Sequence, residues 1–287
     1  MSLLSVRNLS YIYSPGTPFA HKAVDDLSFD IEKGDFVGII GHTGSGKSTL
    51  VQMLNGLLKP SSGTVTLDGA DIWSKPKEIR KIRFKVGLVF QYPEYQLFED
   101  TVAKDIAFGP SNMGLSEAEI RTAVERAAKF VGLRSDLLEK SPFDLSGGEK
   151  RRAAIAGVIA MDPDILILDE PCAGLDPMGR DLLLAQIYHY HKERGNTVIL
   201  VSHSMEDVAT VCDRVLVMNR SRLEMFDLTE KVFSRGDELN AMGLRVPQVT
   251  SVIDRLIAAG APLSKGVLTV EKAVYEITEY LKKEGRL

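Results

Sequence analysis

The sequence predicts an α/β fold built on a mainly parallel sheet, and three observations predict it. Short, continuously apolar runs recur in FVGIIG, DILILDE and TVILV, the pattern of strands buried on both faces of a parallel sheet. Stretches with apolar residues three and four apart lie between them, and strands alternating with helices imply a covered sheet. The first apolar run also leads straight into Gly41-His42-Thr43-Gly44-Ser45-Gly46-Lys47-Ser48, a glycine-rich turn set between a strand and a helix.

From the N-terminus, LLSVRNLSYIY and VDDLSFDIEKGD show strand-like alternation, broken by Ser14-Pro15-Gly16-Thr17-Pro18. Residues 4–35 therefore read as a β-rich lip. A helix is predicted from near Lys47 to Leu58, then a hairpin-like piece from Ser61 to Leu67, and a strand from Val86 to Phe90. The intervening KPKEIRKIRFK carries six basic residues against Glu78 and reads as a solvated helix or edge. Helices over 116–132 and 147–161 form a helical insertion within about 92–160. Strands follow at Ile165–Leu168 and Thr197–Val201, with a helix from Asp181 to Arg194 between them. Beyond residue 228, helices are predicted over 247–259 and 270–283, the second with Val270, Ala273, Val274, Ile277 and Leu281 on one face. The organisation is thus a large unit over 1–228 and a small helical unit over 229–287, a dimerisation or regulatory appendage or a cap on its own core.

The chain has 287 residues, 44% of them hydrophobic and 26% charged, which suits one folded unit with an appendage. No apolar run approaches the length of a membrane span, and residues 1–7 lack the pattern of a secretory signal, so residence in the cytoplasm is expected. A formal net charge of -4 argues against a general nucleic-acid binder. Cys172 and Cys212 lack the spacing of a disulfide framework or zinc site. His189 and His191 read as exposed helix residues rather than ligands.

The chemistry is concentrated in three segments. In the glycine-rich loop, backbone amides close around phosphate oxygens, Lys47 reaches the outer phosphates and Ser48 ligates Mg²⁺. Asp169 and Glu170 end an apolar strand, where buried charge is costly without a role. Asp169 suits a Mg²⁺ anchor, and Glu170 suits a base that polarises water, so hydrolysis is expected beyond binding. Ser146 and Glu149 have capping-box spacing around Gly147 and Gly148, so a helix starts here with exposed amides, either an ordinary helix start or a second anion-ready terminus.

The set GHTGSGKST, Gln91, LSGGE, ILILDEP, Gly174-Leu175-Asp176 and His203 resembles the nucleotide-binding subunit of ABC transporters, over about residues 4–228. That resemblance implies the P-loop NTPase fold of ABC ATPase type, with a β-rich lip, a helical subdomain and a small C-terminal helical domain, and ATP with Mg²⁺ as the bound groups. It implies that Tyr13, with Tyr11 as rival, stacks on adenine while the loop from Gly41 to Thr49 holds the phosphates. Gln91 would sense Mg²⁺ and the water, Glu170 would be the catalytic carboxylate, and His203 would hold the γ-phosphate. Ser146, Gly147, Gly148 and Glu149 would face the opposing subunit's ATP, with Asp176 at the seam.

PGTPFAHKAVDDLSF, FQYPEYQLFEDTVAKDIAFGP and DEPCAGLDP are most similar to the second ATPase type of energy-coupling factor transporters, which take up vitamins and transition-metal ions. The implied partners are a paralogous ATPase in preference to a second copy, a transmembrane scaffold whose coupling helices meet residues 91–100, and a substrate-binding membrane protein. The implied place is peripheral, on the cytoplasmic face of the cell membrane. Cys172 stands where the family often has threonine, which raises the expectation of thiol-oxidation sensitivity. Related ATPase heads also serve DNA repair, chromosome organisation and ribosome-associated factors, but this chain shows neither the long coiled-coil insertion nor the second cassette usual in them.

Overall fold

In the computed structural model, which describes residues 2–284, the apolar runs lie side by side. β1 (Ser2–Tyr13) and β2 (His21–Glu32) form the lip; β3 (Phe36–Ile40) then runs through the phosphate loop into α1 (Lys47–Leu54). β4 (Ser62–Leu67) and the two-residue β5 (Ala70–Asp71) return to the lip, giving an antiparallel sheet of order β2-β1-β4-β5. α2 (Ile79–Lys85), the basic segment, contributes no buried residue, as a solvated helix should. β6 (Val86–Val89) leads to the helices α3 (Val102–Met113), α4 (Glu117–Phe130) and α5 (Gly147–Ile159).

β7 (Ile165–Asp169), α6 (Pro177–Arg194), β8 (Thr197–Val201), α7 (Met205–Val211), β9 (Arg214–Asn219) and β10 (Arg222–Leu228) complete a second sheet of order β10-β9-β3-β8-β7-β6. Its pairs are parallel except β10 with β9. Every residue of β3, β7 and β8 is buried, so these strands have no polar face to alternate. One core, including Leu4, Val24, Ile39 and Leu50, fills the space between lip and main sheet. The other, including Phe36, Leu168, Ala127 and Ile155, joins the opposite sheet face to the helical region. The phosphate loop leaves the C-terminal end of the central strand β3, where open α/β sheets place their ligand crevice.

Four local readings change. α1 ends at Leu54, not Leu58, because Asn55 Nδ2 turns to bond the Val86 carbonyl and Gly56 adopts a φ of 73°. Leu57 N then donates back to the Gln52 carbonyl at 2.8 Å, closing the helix end. α6 starts at Pro177, four positions before the periodic stretch, because the Asp176 carboxylate caps it by accepting from Gly179 N at 2.6 Å. α3, not among the predicted helices, carries Gly109-Pro110 in its last turns, with Thr101 capping its start. His191 is buried rather than exposed: with Ile187 and Tyr190 it forms the inward stripe of α6, and its Nδ1 lies 2.8 Å from the Asn196 carbonyl. His189 is exposed and lies 3.2 Å from Glu193.

Toward the C-terminus come α8 (Thr229–Phe233), α9 (Gly236–Ala241), α10 (Gln248–Ala258) and α11 (Val270–Lys283). Val232, Phe233, Leu239 and Leu244 are buried in the main core. α10 and α11 instead share a small cluster of Ile253, Val267 and Ala273, tied by the Thr250 hydroxyl donating to the Val267 carbonyl at 2.6 Å. Among the described residues, no helix is long and apolar enough to cross a membrane.

Candidate functional site

The phosphate loop is shaped by close backbone approaches. Gly46 has a φ of 100°, and a Cβ there would lie 2.1 Å from the Ala23 carbonyl oxygen; a Cβ on Gly41 would lie 2.3 Å from the Met218 carbonyl oxygen. Only glycine allows the lip and β9 to press this closely on the loop. His42 fastens the loop from outside, with Nδ1 2.8 Å from the Thr43 carbonyl and Nε2 3.2 Å from Asn219 Oδ1. Lys47 is buried at the start of α1, and its ammonium donates to the Gly41 and His42 carbonyls at 2.8 and 3.2 Å. Burial pushes its pKa down, against the opposing charges of Glu170 and Asp169.

Around this loop lies a cavity of about 380 Å³ lined by Tyr13, His21, Ala23, Thr43, Gly44, Gly46, Lys47, Ser48, Thr49, Gln91, Glu170 and His203. β1 carries Tyr13 to the rim, where its hydroxyl lies 3.2 Å from Thr49 Oγ1. Tyr11, on the same strand face, meets the Tyr13 ring edge-on with centroids 4.8 Å apart, but packs against the lip core and does not line the cavity. His21 and Ala23 were not anticipated as lining residues. They follow the irregular turn after residue 13, and only the pairing of β1 with β2, Tyr13 opposite His21, brings them to the rim.

Asp169 ends β7 with 5% of its surface exposed, and its Oδ1 has no hydrogen-bond partner among the described residues. Burial raises its pKa, opposed by a hydrogen bond from Ser48 and the charge of Lys47. Glu170 has a φ of 53°, a left-handed conformation that a non-glycine residue seldom adopts. Its backbone amide is held by the Val201 carbonyl at 3.0 Å, and the conformation turns its carboxylate out of the strand into the cavity. Oε1 lies 3.1 Å from His203 Nε2, and Oε2 accepts from His203 N at 3.4 Å. Burial pushes the Glu170 carboxyl up to about 7, near neutral pH, where a general base works best. Burial, helped by Lys47, lowers the His203 pKa.

Ser146, Gly148 and Asp176 line a different cleft of about 340 Å³, together with Gly174 and residues of α6. It shares no lining residue with the cavity at the phosphate loop. The capping box is present: Ser146 N and Oγ both donate to Glu149 Oε2, at 2.9 and 2.7 Å, and Glu149 N donates to Ser146 Oγ. One chain therefore assembles Tyr13, the loop, Gln91, Asp169, Glu170 and His203, and leaves Ser146, Gly147, Gly148, Glu149 and Asp176 on a separate face.

The profile of the family described as "ABC transporter" matches residues 24–173. The "Energy-coupling factor transporter ATP-binding protein EcfA2" of Clostridium acetobutylicum is 55% identical, with 99% of each chain covered. Its namesake in Caldanaerobacter subterraneus subsp. tengcongensis is 53% identical, covering 97% of this chain and 98% of its own. The chain belongs to the energy-coupling factor ATP-binding proteins of the ABC transporter family. It is an ATPase, the subunit whose hydrolysis of ATP energises uptake. Among solved structures, cbiO1 of Clostridium perfringens, part of the ABC transporter complex cbiONQ, superposes with a TM-score of 0.75 at 40% identity, covering 88% of this chain and 99% of that one. The ATP-binding cassette MJ0796, in a dimeric post-hydrolysis state with ADP and Pi, gives a TM-score of 0.71 at 27% identity, covering 78% and 98%.

In this energy-coupling factor ATPase, the surroundings of Cys172 work against a reactive thiol. It is partly buried beside Asp207, and burial first, then that carboxylate, pushes its pKa up to about 12. The thiolate that oxidants attack is therefore disfavoured.

Proposed function

We propose that this ATPase acts as one half of an ATP-sandwich pair. Tyr13 stacks on adenine, the loop from Gly41 to Thr49 cradles the phosphates, and Lys47 leaves its two carbonyl partners for phosphate oxygens. Ser48, Asp169 and Gln91 hold Mg²⁺. The residues fit that ion, since Asp169 keeps a buried oxygen without a hydrogen-bond partner beside the Ser48 hydroxyl, and Mg²⁺ takes few protein ligands where phosphates supply the rest. When bound, it neutralises charge on the outer phosphates. Glu170 accepts the proton of the attacking water, and His203 holds the γ-phosphate and orients Glu170.

The separation of the two clefts carries this reading. Ser146, Gly148 and Asp176, with Gly147 and Glu149 beside them, belong to a cleft that shares no lining residue with the cavity at the phosphate loop of their own chain, which supports their serving the nucleotide of a partner. Glu149 takes the Ser146 hydroxyl hydrogen, leaving the amides of Gly147 and Gly148 to face a phosphate. The resemblance to the second ATPase type favours a paralogue as that partner. Residues 91–100, beside a groove of about 580 Å³ lined by Phe84, Leu97, Phe98 and Phe108, receive a transmembrane scaffold, which works with a substrate-binding membrane protein in the uptake of a vitamin or metal ion. Of the C-terminal unit, α10 and α11 are the portion that dimerises or regulates, since they pack apart from the main core. The ATPase sits peripherally on the cytoplasmic face of the membrane.

Affinity purification from gently solubilised native membranes, with co-purifying proteins identified by mass spectrometry, tests the partners. Recovery of a second ABC ATPase, a scaffold and small membrane proteins is expected. Recovery of soluble DNA- or ribosome-associated proteins alone would overturn the assembly while leaving the ATPase in place.

A further inference from the structure

Arg151 is a buried arginine, 4% exposed, in the first turns of α5, five residues past the Ser146 cap. Its guanidinium grips Glu94 with both edges of the fork, Nε to Oε2 at 3.0 Å and Nη2 to Oε1 at 2.6 Å. Its Nη1 donates to the carbonyls of Pro171 at 3.2 Å and Ala173 at 2.5 Å. Four charge-assisted hydrogen bonds thus join three segments that carry different parts of the site. Glu94 belongs to the turn three residues past Gln91. Arg151 belongs to the helix that presents the Ser146–Glu149 face. Pro171 and Ala173 form the turn between Glu170 and Asp176.

A buried ion pair contributes little stability compared with well-packed apolar side chains, and its worth lies in the geometry it enforces. Here that geometry is planar and directional. A lysine ammonium could satisfy the Glu94 charge but could not address a carboxylate and two carbonyls in one fixed fork. The geometry points to Arg151 as a positioning residue that makes the Glu94 turn, the Ser146 helix and the Pro171–Ala173 turn move as one body. Displacement at residues 91–100 thereby reaches both the face offered to the partner's nucleotide and the segment that aims Glu170. The assignment rests on the reading of 91–100 as the membrane-coupled face only for its transport consequence; the mechanical link lies within one chain.

The test is hydrogen exchange followed by mass spectrometry on the purified transporter and on this chain alone, with and without Mg-ATP, in the Glu170→Gln background so that the nucleotide persists. Adding Arg151→Lys, or separately Glu94→Gln, is expected to cut the ATP-induced change in exchange over residues 93–98 at least threefold while the change over 41–49 persists. In the otherwise unaltered enzyme, each substitution is expected to lower kcat about tenfold with the KM for ATP within twofold, and the double variant to be no worse than Arg151→Lys. If 93–98 responds to ATP as in the parent in both variants, the link is overturned. Glu94→Gln preserves side-chain volume and keeps the test decisive should Arg151→Lys unfold. Failure of the chain to co-purify with membrane proteins would overturn the coupling reading alone, since exchange in the isolated chain still reads the link.

Discussion

Two helix N-termini in this ATPase, those of α1 and α5, are the ones proposed to meet phosphate, and they are built in opposite ways. α1 has no side-chain cap; its start is fixed by long-range contacts, with Gly46 pressed against the lip at Ala23 and Lys47 buried under the loop. α5 caps itself through Ser146 and Glu149, three residues apart, and Ser146 and Gly147 at its start are exposed. Both offer unsatisfied amides and a positive dipole end to an anion. The difference teaches that the start of α1 is shaped by the fold around it, whereas the start of α5 is preformed locally, as the proposed sharing of a nucleotide between two subunits requires.

The largest expected effect breaks the first half-site at its chemistry. Glu170→Gln should leave ATP binding within a few-fold and lower steady-state hydrolysis at least 100-fold, within the range for loss of a general base; undiminished turnover would remove Glu170 from its role. Gly46→Ala should come next, because the added methyl meets a backbone oxygen and the left-handed φ adds strain of about 1–3 kcal/mol. Lost nucleotide binding and a lower Tm are expected, and a variant that binds ATP normally would show that the lip yields. Ser146→Ala sharpens the contrast: it should cost about 1 kcal/mol of stability through the lost cap, lower turnover of the paired enzyme and leave ATP affinity of the isolated chain unchanged, as read by calorimetry. A matching loss of affinity in the isolated chain would mean that the two half-sites are not separate.

The smallest effect concerns the Glu94–Arg151 pair between them. Burial works to raise the Glu94 carboxyl, but the hydrogen bonds from Arg151 and the backbone, with the Arg151 charge, carry it below its ordinary value. A carboxyl depressed in the folded state contributes stability above its unfolded pKa, about 4.3 for Glu, and loses it as pH falls through the lower folded value. The Tm gap between the parent and Glu94→Gln should therefore be largest above about pH 5 and shrink toward pH 3.5; a gap that widens on acidification would contradict the assignment.

Much of this was legible in the residues, for reasons that differ by region. β3, β7 and β8 were visible because strands buried on both faces must be apolar throughout. α4, α10 and α11 were visible from their periodicity. β9, β10 and α7 were not assigned, since RVLVMN and RLEMFDL are short and mixed, and β10 is a strand chiefly because β9 lies beside it. α3 was not assigned, and the buried place of His191 was obscured by its polarity, although its position on the Ile187–Tyr190 stripe was the available signal.

Within the site, the sequence by itself determined the loop chemistry, the paired acids of Asp169 and Glu170 and the Ser146–Glu149 box, because each depends on residues within a few positions of one another, where spacing fixes relative geometry. Only the tertiary structure decided that Tyr13 rather than Tyr11 reaches the cavity, that Cys172 is partly buried, that Arg151 ties Glu94 to the turn after Glu170, and that the starts of α1 and α5 lie on separate clefts. Those outcomes depend on strand register and on packing between segments tens of residues apart, and no local spacing encodes the distance between two such segments.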